Sequence, residues 1–245
     1  MNENLTVIIV VYKTKKELLK NFINQIDANY KILIVDNGFS YNFGEIENLQ
    51  NVSIYRSPVN QGNGDGINIG LRMVKSPYAI YFDIDTIFEN TFLSSIENYI
   101  TKIKSFCILL PNINSSNKSN EEFIEKYDGE GAIMLFNVRE VTNIGSFDTD
   151  YFLYREETDL FYRCKLNDKK IYLLTKIIAQ HDGSSSMEGD NVDLKIVGLR
   201  SWHLMWSYFY FYKKHYSYYY AITKSSNVFS RDLGKLIYFI LKRDK

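Results

Sequence analysis

The sequence predicts an α/β protein built on a mostly parallel, doubly wound sheet. Three observations predict it. Short apolar runs alternate with stretches of helical spacing over about the first 110 residues. The first run, Leu5–Tyr12, is β-branched and apolar almost throughout, as a strand covered on both faces is. Polar groups stand where those runs end, at Tyr12, Asp36 and Asp83. In such sheets ligands bind at the carboxyl ends of the strands.

Leu5–Tyr12 is the first buried strand. Lys15–Ile26 is a helix, because Leu18, Leu19, Phe22, Ile23 and Ile26 recur on one face. Lys31–Asp36 is a second buried strand, ended by Asn37-Gly38. Val52–Tyr55 is a short third strand. The Gly/Asn-rich turn Asn60–Gly70 leads into a helix over Gly66–Val74. Tyr78–Asp83 is the fourth strand, Asn90–Ile103 a helix and Phe106–Leu110 the next strand.

Asn112–Asn120 is rich in Asn and Ser and reads as a loop. It divides a nucleotide-type half (1–111) from a second half (129–190). In that half Gly131–Phe136 is a strand and Glu157–Leu166 a helix. Lys170–Leu174 and Ile177–His181 read as two short strands. Residues 191–245 read as a helical extension. In Trp202–Tyr220, eleven of nineteen residues are Trp, Tyr or Phe, but Lys213-Lys214 and other polar residues interrupt them. The end, Leu233–Lys245, mixes Leu236, Ile237, Phe239, Ile240 and Leu241 with Lys235, Lys242, Arg243 and Lys245, a composition that suits an interfacial helix.

Lys plus Arg and Asp plus Glu balance at 29 each, so bulk nucleic-acid binding is not expected. Cys107 and Cys164 are the only cysteines, too few for a disulfide framework or a zinc site. No basic leader precedes the first strand and no run reaches the ~20 apolar residues of a membrane span. A cytoplasmic protein is the expectation. The Asn114 and Asn117 sequons have no meaning there.

Asp83 and Asp85 are the most informative pair. Two carboxylates two apart at a strand's end can share one hard cation, and that cation can hold a diphosphate. Asp36-Asn37 suits a base or ribose contact, or a polar turn. The glycine run can bring backbone amides to a phosphate or nucleoside, or can be a loop entering a helix. It lacks the Gly-Lys-Ser/Thr of a Walker A loop. Glu156, Glu157 and Asp159 open a helix, where carboxylates either cap the dipole or supply a general base. His181 ends a strand ahead of Ser184–Ser186, which suits a flap.

Five pieces occur in order: Val7–Tyr12; Val35-Asp36-Asn37; Asn60–Gly70; Phe82–Asp85; and Gly145–Leu160 with His181-Asp182-Gly183. Together they resemble family 2 glycosyltransferases of the GT-A fold, nearest to a bacterial rhamnosyltransferase-like branch, over about residues 5–186. The resemblance implies transfer of a sugar, with inversion, from a nucleotide-diphosphate donor (dTDP-rhamnose or a UDP-hexose) to a hydroxyl of a glycan or lipid-linked glycan. It implies that Val11, Tyr12, Asp36, Asn37, Asn60, Gly62, Asn63 and Asn68 line the nucleoside pocket. Asp83 contacts ribose or metal, and Asp85, with His181 near it, binds Mg²⁺ or Mn²⁺. Glu157, or its neighbour Glu156, is the base. Asp148 and Asp159 are sugar or loop contacts. The extension is expected to pack the acceptor side and rest on the inner membrane face.

Two other classes compete. Sugar nucleotidyltransferases also use acidic metal sites, but they carry a Gly-rich basic loop after the first strand, where this chain has Tyr12-Lys13-Thr14. A non-catalytic binding module of the same fold has no use for Asp85, Glu157 and His181 together.

Overall fold

Strand β1 (Leu5–Val11) lies inside a nine-stranded sheet, paired in parallel with β2 (Lys31–Asn37) and β4 (Tyr78–Phe82). The computed structural model describes residues 2–39, 42–181 and 194–243. Asp182-Gly183, the Ser184–Ser186 flap and the side chains of the apolar, basic end from Lys235 onward lie outside the described residues.

Strand β3 (Val52–Ser57) edges β2 in parallel. On the other side of β4 stand β8 (Ile133–Asn137), β6 (Ile108–Ile113), β9 (Ile171–His181) and β5 (Thr86–Ile87), in that order, and β7 (Phe123–Glu125) pairs β9. Strand β8 is antiparallel to both β4 and β6. Six strands run one way, and β5, β7 and β8 run the other. The mostly parallel α/β sheet is therefore as expected, and strands from both halves of the sequence share it.

Helix α1 (Lys16–Asn24) buries Leu19, Phe22 and Ile23 in the core that also takes β1, β2 and β4. Each such side chain contributes about 1.5–3 kcal/mol on full burial. Helix α2 (Asn63–Met73) begins three residues earlier than expected. Its glycines explain how closely it sits: a Cβ on Gly66 would lie 2.6 Å from Val10 Cγ1, and one on Gly70 2.6 Å from Ile8 Cγ2. Helix α3 (Phe92–Lys102) and helix α5 (Glu156–Leu166) match their expected positions within two residues.

Several elements differ from expectation. The two short strands after Lys170 are one strand, β9, whose pairing with β6 shifts register between Pro111 and Asn112. Strand β6 runs on to Ile113, which shortens the Asn/Ser loop. Helix α4 (Val138–Asn143), capped by Asn137 Oδ1 on the Glu140 amide, is too short for a periodic signal. Cys107 and Cys164 are free and buried, their sulfurs 3.7 Å apart.

Helices α6 (Leu194–His215) and α7 (Tyr218–Arg243) pack on each other. Among the described residues no helix is long and apolar enough to cross a membrane.

Candidate active site

The ends of β1, β2 and β4 and the start of α5 form one rim. Asp36 and Asn37 end β2 and are buried. Asn37 organises the turn before α2: its Nδ2 donates to Gly62 O (2.8 Å) and Asn60 Oδ1 (3.1 Å), and its Oδ1 accepts from the Gln61 amide (3.1 Å). Gly62 has φ 92°, and a Cβ there would meet the Phe152 carbonyl oxygen at 2.2 Å. Glycine is required at that position. Val11 is buried and Tyr12 exposed, its ring beside Gly38.

Asn68 is engaged elsewhere. Its Nδ2 donates to Phe147 O and its Oδ1 accepts from the Phe147 amide, both at 2.9 Å. The asparagine fastens α2 to the loop 145–155, and both ends of its amide are used in doing so.

Asp83, Asp85 and His181 each offer one ligand atom within 4.8 Å of the others. His181 Nε2 is 3.2 Å from Asp85 Oδ1 and 3.7 Å from Asp83 Oδ2, and its Nδ1 is 3.7 Å from Glu130 Oε2. The hydrogen bond to Asp85 raises the His181 pKa against the opposing effect of burial. Loss of solvent pushes the Asp83 carboxyl up to about 6, although the Tyr81 hydroxyl and His181 favour its charged form. Two carboxylates and an imidazole suit Mg²⁺ or Mn²⁺.

Local chemistry places each ligand. The Asp83 amide donates to Ala132 O (2.7 Å), and Thr86 closes the turn onto Asp83 O through its amide and hydroxyl. Strand β5 pairs Thr86 with His181. Asn114 grips the His181 backbone from both sides, donating to its carbonyl (3.1 Å) and accepting from its amide (3.0 Å).

Glu156 and Glu157 open α5 after two successive left-handed residues, Tyr154 (φ 69°) and Arg155 (φ 64°). Glu156 is buried, and its Oε2 has no hydrogen-bond partner. Burial, then the Glu157 charge, raises its pKa to about 8. Burial also raises that of Glu157, opposed by its own amide and by Arg155. Glu157 packs beside Gly131, and the preceding Glu130 faces His181, so α5 and the three-ligand cluster share the rim.

The aromatic helix α6 braces this loop. Arg155 lies over Tyr208 (4.2 Å), Phe211 (4.6 Å) and Tyr212 (5.5 Å). Ser207 donates to Leu153 O (2.8 Å), His203 stacks on Phe152 (4.5 Å) and Arg200 bonds the Tyr154 hydroxyl (2.7 Å). Asp159 is fully buried among Arg163, Lys214 and His215, each at 2.7 Å, and Asp148 pairs with Lys214 (2.6 Å). Asp148 and Asp159 thus tie the loop and α5 to α6.

A family profile described as glycosyl transferase family 2 matches residues 6–173. The chain belongs to glycosyl transferase family 2. Solved structures give the same GT-A fold. GalNAc-T7 with UDP, GalNAc and Mn²⁺ superposes with TM-score 0.62 at 15% identity, over 85% of this chain and 49% of that one. The mannosyltransferase PcManGT from Pyrobaculum calidifontis, with GDP-Man and Mn²⁺, gives 0.62 at 11% identity, over 94% and 75%. Residues 1–349 of S. aureus TarS give 0.57 at 14% identity, over 82% and 65%. The chain thus spans about half the length of GalNAc-T7. No curated protein sequence matches it.

Proposed function

We propose that this family member is an inverting glycosyltransferase. It moves a sugar from a nucleotide-diphosphate donor to a hydroxyl of a glycan or lipid-linked glycan in bacterial surface polysaccharide assembly. The observation that carries the reading is the meeting of Asp83, Asp85 and His181 on the rim that also holds Glu157. The family match and the nucleotide and Mn²⁺ ligands of the structural neighbours support it.

Asp83, Asp85 and His181 would hold Mg²⁺ or Mn²⁺, which when bound supplies Lewis-acid stabilisation of the departing diphosphate. Val11, Tyr12, Asp36 and the turn 60–63 shape the nucleoside pocket, with Asn37 fixing the turn. Glu157 accepts the proton of the attacking hydroxyl. Asp148, Asp159 and Asn68 act on the loop that presents Glu157. Donors are dTDP-rhamnose, by the rhamnosyltransferase-like resemblance, or a UDP-hexose. The carboxyl-terminal end rests on the inner membrane face.

Release of nucleoside diphosphate from dTDP-rhamnose, UDP-glucose, UDP-GlcNAc and GDP-mannose, with Mn²⁺ and with EDTA, tests the reading. Metal-dependent release from one donor, faster with an acceptor glycan, is expected. Cleavage that yields a nucleoside monophosphate and sugar phosphate would overturn it.

A further inference from the structure

Glu156 has no part in the proton transfer assigned to Glu157, yet it is buried on the same rim with one carboxyl oxygen unpartnered. A buried polar atom without a partner costs about 1–3 kcal/mol, so its protonation state matters. Three neighbours connect it to the donor side. Glu156 Oε1 lies 3.5 Å from the Asn63 amide, the Asn63 amide 3.1 Å from the Tyr81 hydroxyl, and that hydroxyl on Asp83 Oδ1. These four residues come from α5, the first turn of α2, strand β4 and the residue after it.

With Asp83 ionised, as a metal ligand is, the hydrogens along this chain do not balance if Glu156 is ionised as well. The Tyr81 hydroxyl has one proton and two acceptors, Asn63 Oδ1 and Asp83 Oδ1. An amide occupies the same space when turned end for end. Turned, Asn63 donates to the Tyr81 oxygen, and Tyr81 is free to donate to Asp83. The Asn63 carbonyl oxygen then faces Glu156 Oε1, and two oxygens pair only through a proton. That proton belongs on Glu156. Each donor then has one acceptor, from Glu156 through Asn63 and Tyr81 to Asp83.

We propose that Glu156 is a proton-holding positioning residue: as a neutral acid it closes a one-directional hydrogen-bonded chain that fixes the Asp83 carboxylate, leaving Glu157 as the single base. The role in transfer rests on the glycosyltransferase reading. The charges acting on Glu156 from its surroundings agree with the proton: Glu157 on its own helix and Asp83 from the end of β4 are both carboxylates, and both disfavour ionisation.

The test uses Glu156→Gln, whose amide has the shape of the neutral acid and donates to the same acceptor. Thermal unfolding of metal-free native and Glu156→Gln protein is followed from pH 5 to 9. An acid with a raised folded pKa keeps its full stability only below its unfolded value and loses it up to the folded value. The variant should therefore gain on the native protein as pH rises to about 8, and the gap should then level off. A gap that stays constant across the range overturns the proposal, as does a variant that fails to fold.

The second readout is transfer. Glu156→Gln should retain it within a few-fold, and Tyr81→Phe should weaken Mn²⁺-dependent UDP binding several-fold. Loss of transfer in Glu156→Gln with transfer retained in Glu157→Gln makes Glu156 the base and overturns the proposal. If the native protein turns over no nucleotide sugar, the transferase reading fails, and the unfolding comparison still decides whether Glu156 holds a proton.

Discussion

Glu157→Gln separates binding from chemistry. The amide keeps the shape of the side chain and cannot take a proton. Transfer should fall by about 10²–10⁴-fold, the usual contribution of a positioned general base. Nucleotide binding, followed by calorimetry, should stay at the native level. Asp85→Ala should do the opposite. It removes the carboxylate closest to His181, at 3.2 Å, and should abolish the Mn²⁺ dependence of nucleotide binding. Weakened binding in Glu157→Gln, or native metal dependence in Asp85→Ala, would reverse these assignments. The two aspartates were legible in the sequence because the apolar run Tyr78–Phe82 ends at them. Tyr81 and Asn114 were not. Tyr81 reads as one more buried strand residue, and nothing local reveals the carboxylate its hydroxyl meets. Asn114 sits in an Asn/Ser-rich loop and meets His181 67 positions away.

Between elements, two contacts decide whether the rim is assembled. Helix α2 reaches β1 only because positions 66 and 70 lack a Cβ. Gly70→Ala places a methyl 2.6 Å from Ile8 Cγ2 in a fully buried site and should cost about 1–3 kcal/mol in a urea unfolding curve. The glycines were read as a phosphate cradle or a loop entering a helix; Gly66 and Gly70 serve packing instead. The second contact is α6 on the loop 148–155. Its aromatic content did not reveal which residues it packs on, because composition names no partner. The structure uses Tyr208, Phe211 and Tyr212 around Arg155, while Trp202 and Trp206 remain exposed. Arg155→Met should preserve nucleotide binding and lower the transfer rate, because the left-handed turn before Glu156 loses its anchor. An unchanged rate would mean that the turn holds itself.

Across the whole molecule, the order of the longer strands and helices was legible from apolar periodicity, while the short β5, β7 and α4 left no periodic signal. The path between them was not. The sequence holds no sign that β8 enters antiparallel between β4 and β6, since pairing partners leave no local mark. The register shift in β9 looked like a break between two strands for the same reason. One pH effect follows from how the extension is fastened. Burial opposes the Asp159 charge, but Lys214, Arg163 and His215 together hold its pKa below the usual carboxylate value. A lowered folded pKa gives stability above the unfolded value of about 4 that is lost as pH falls through the folded one. Acid should therefore release α6 from the loop below about pH 4, read as a loss of near-ultraviolet tyrosine and tryptophan signal, and Asp159→Asn should lose that transition. The Asp83, Asp85 and His181 rim should take a nucleoside diphosphate together with a divalent cation. Calorimetric titration with UDP, dTDP and GDP, in Mn²⁺ and in EDTA, tests it most directly. Binding of one nucleotide that requires Mn²⁺ and vanishes in Asp85→Ala is the predicted result; equal binding in EDTA, or no binding of any of the three with Mn²⁺ present, would contradict it.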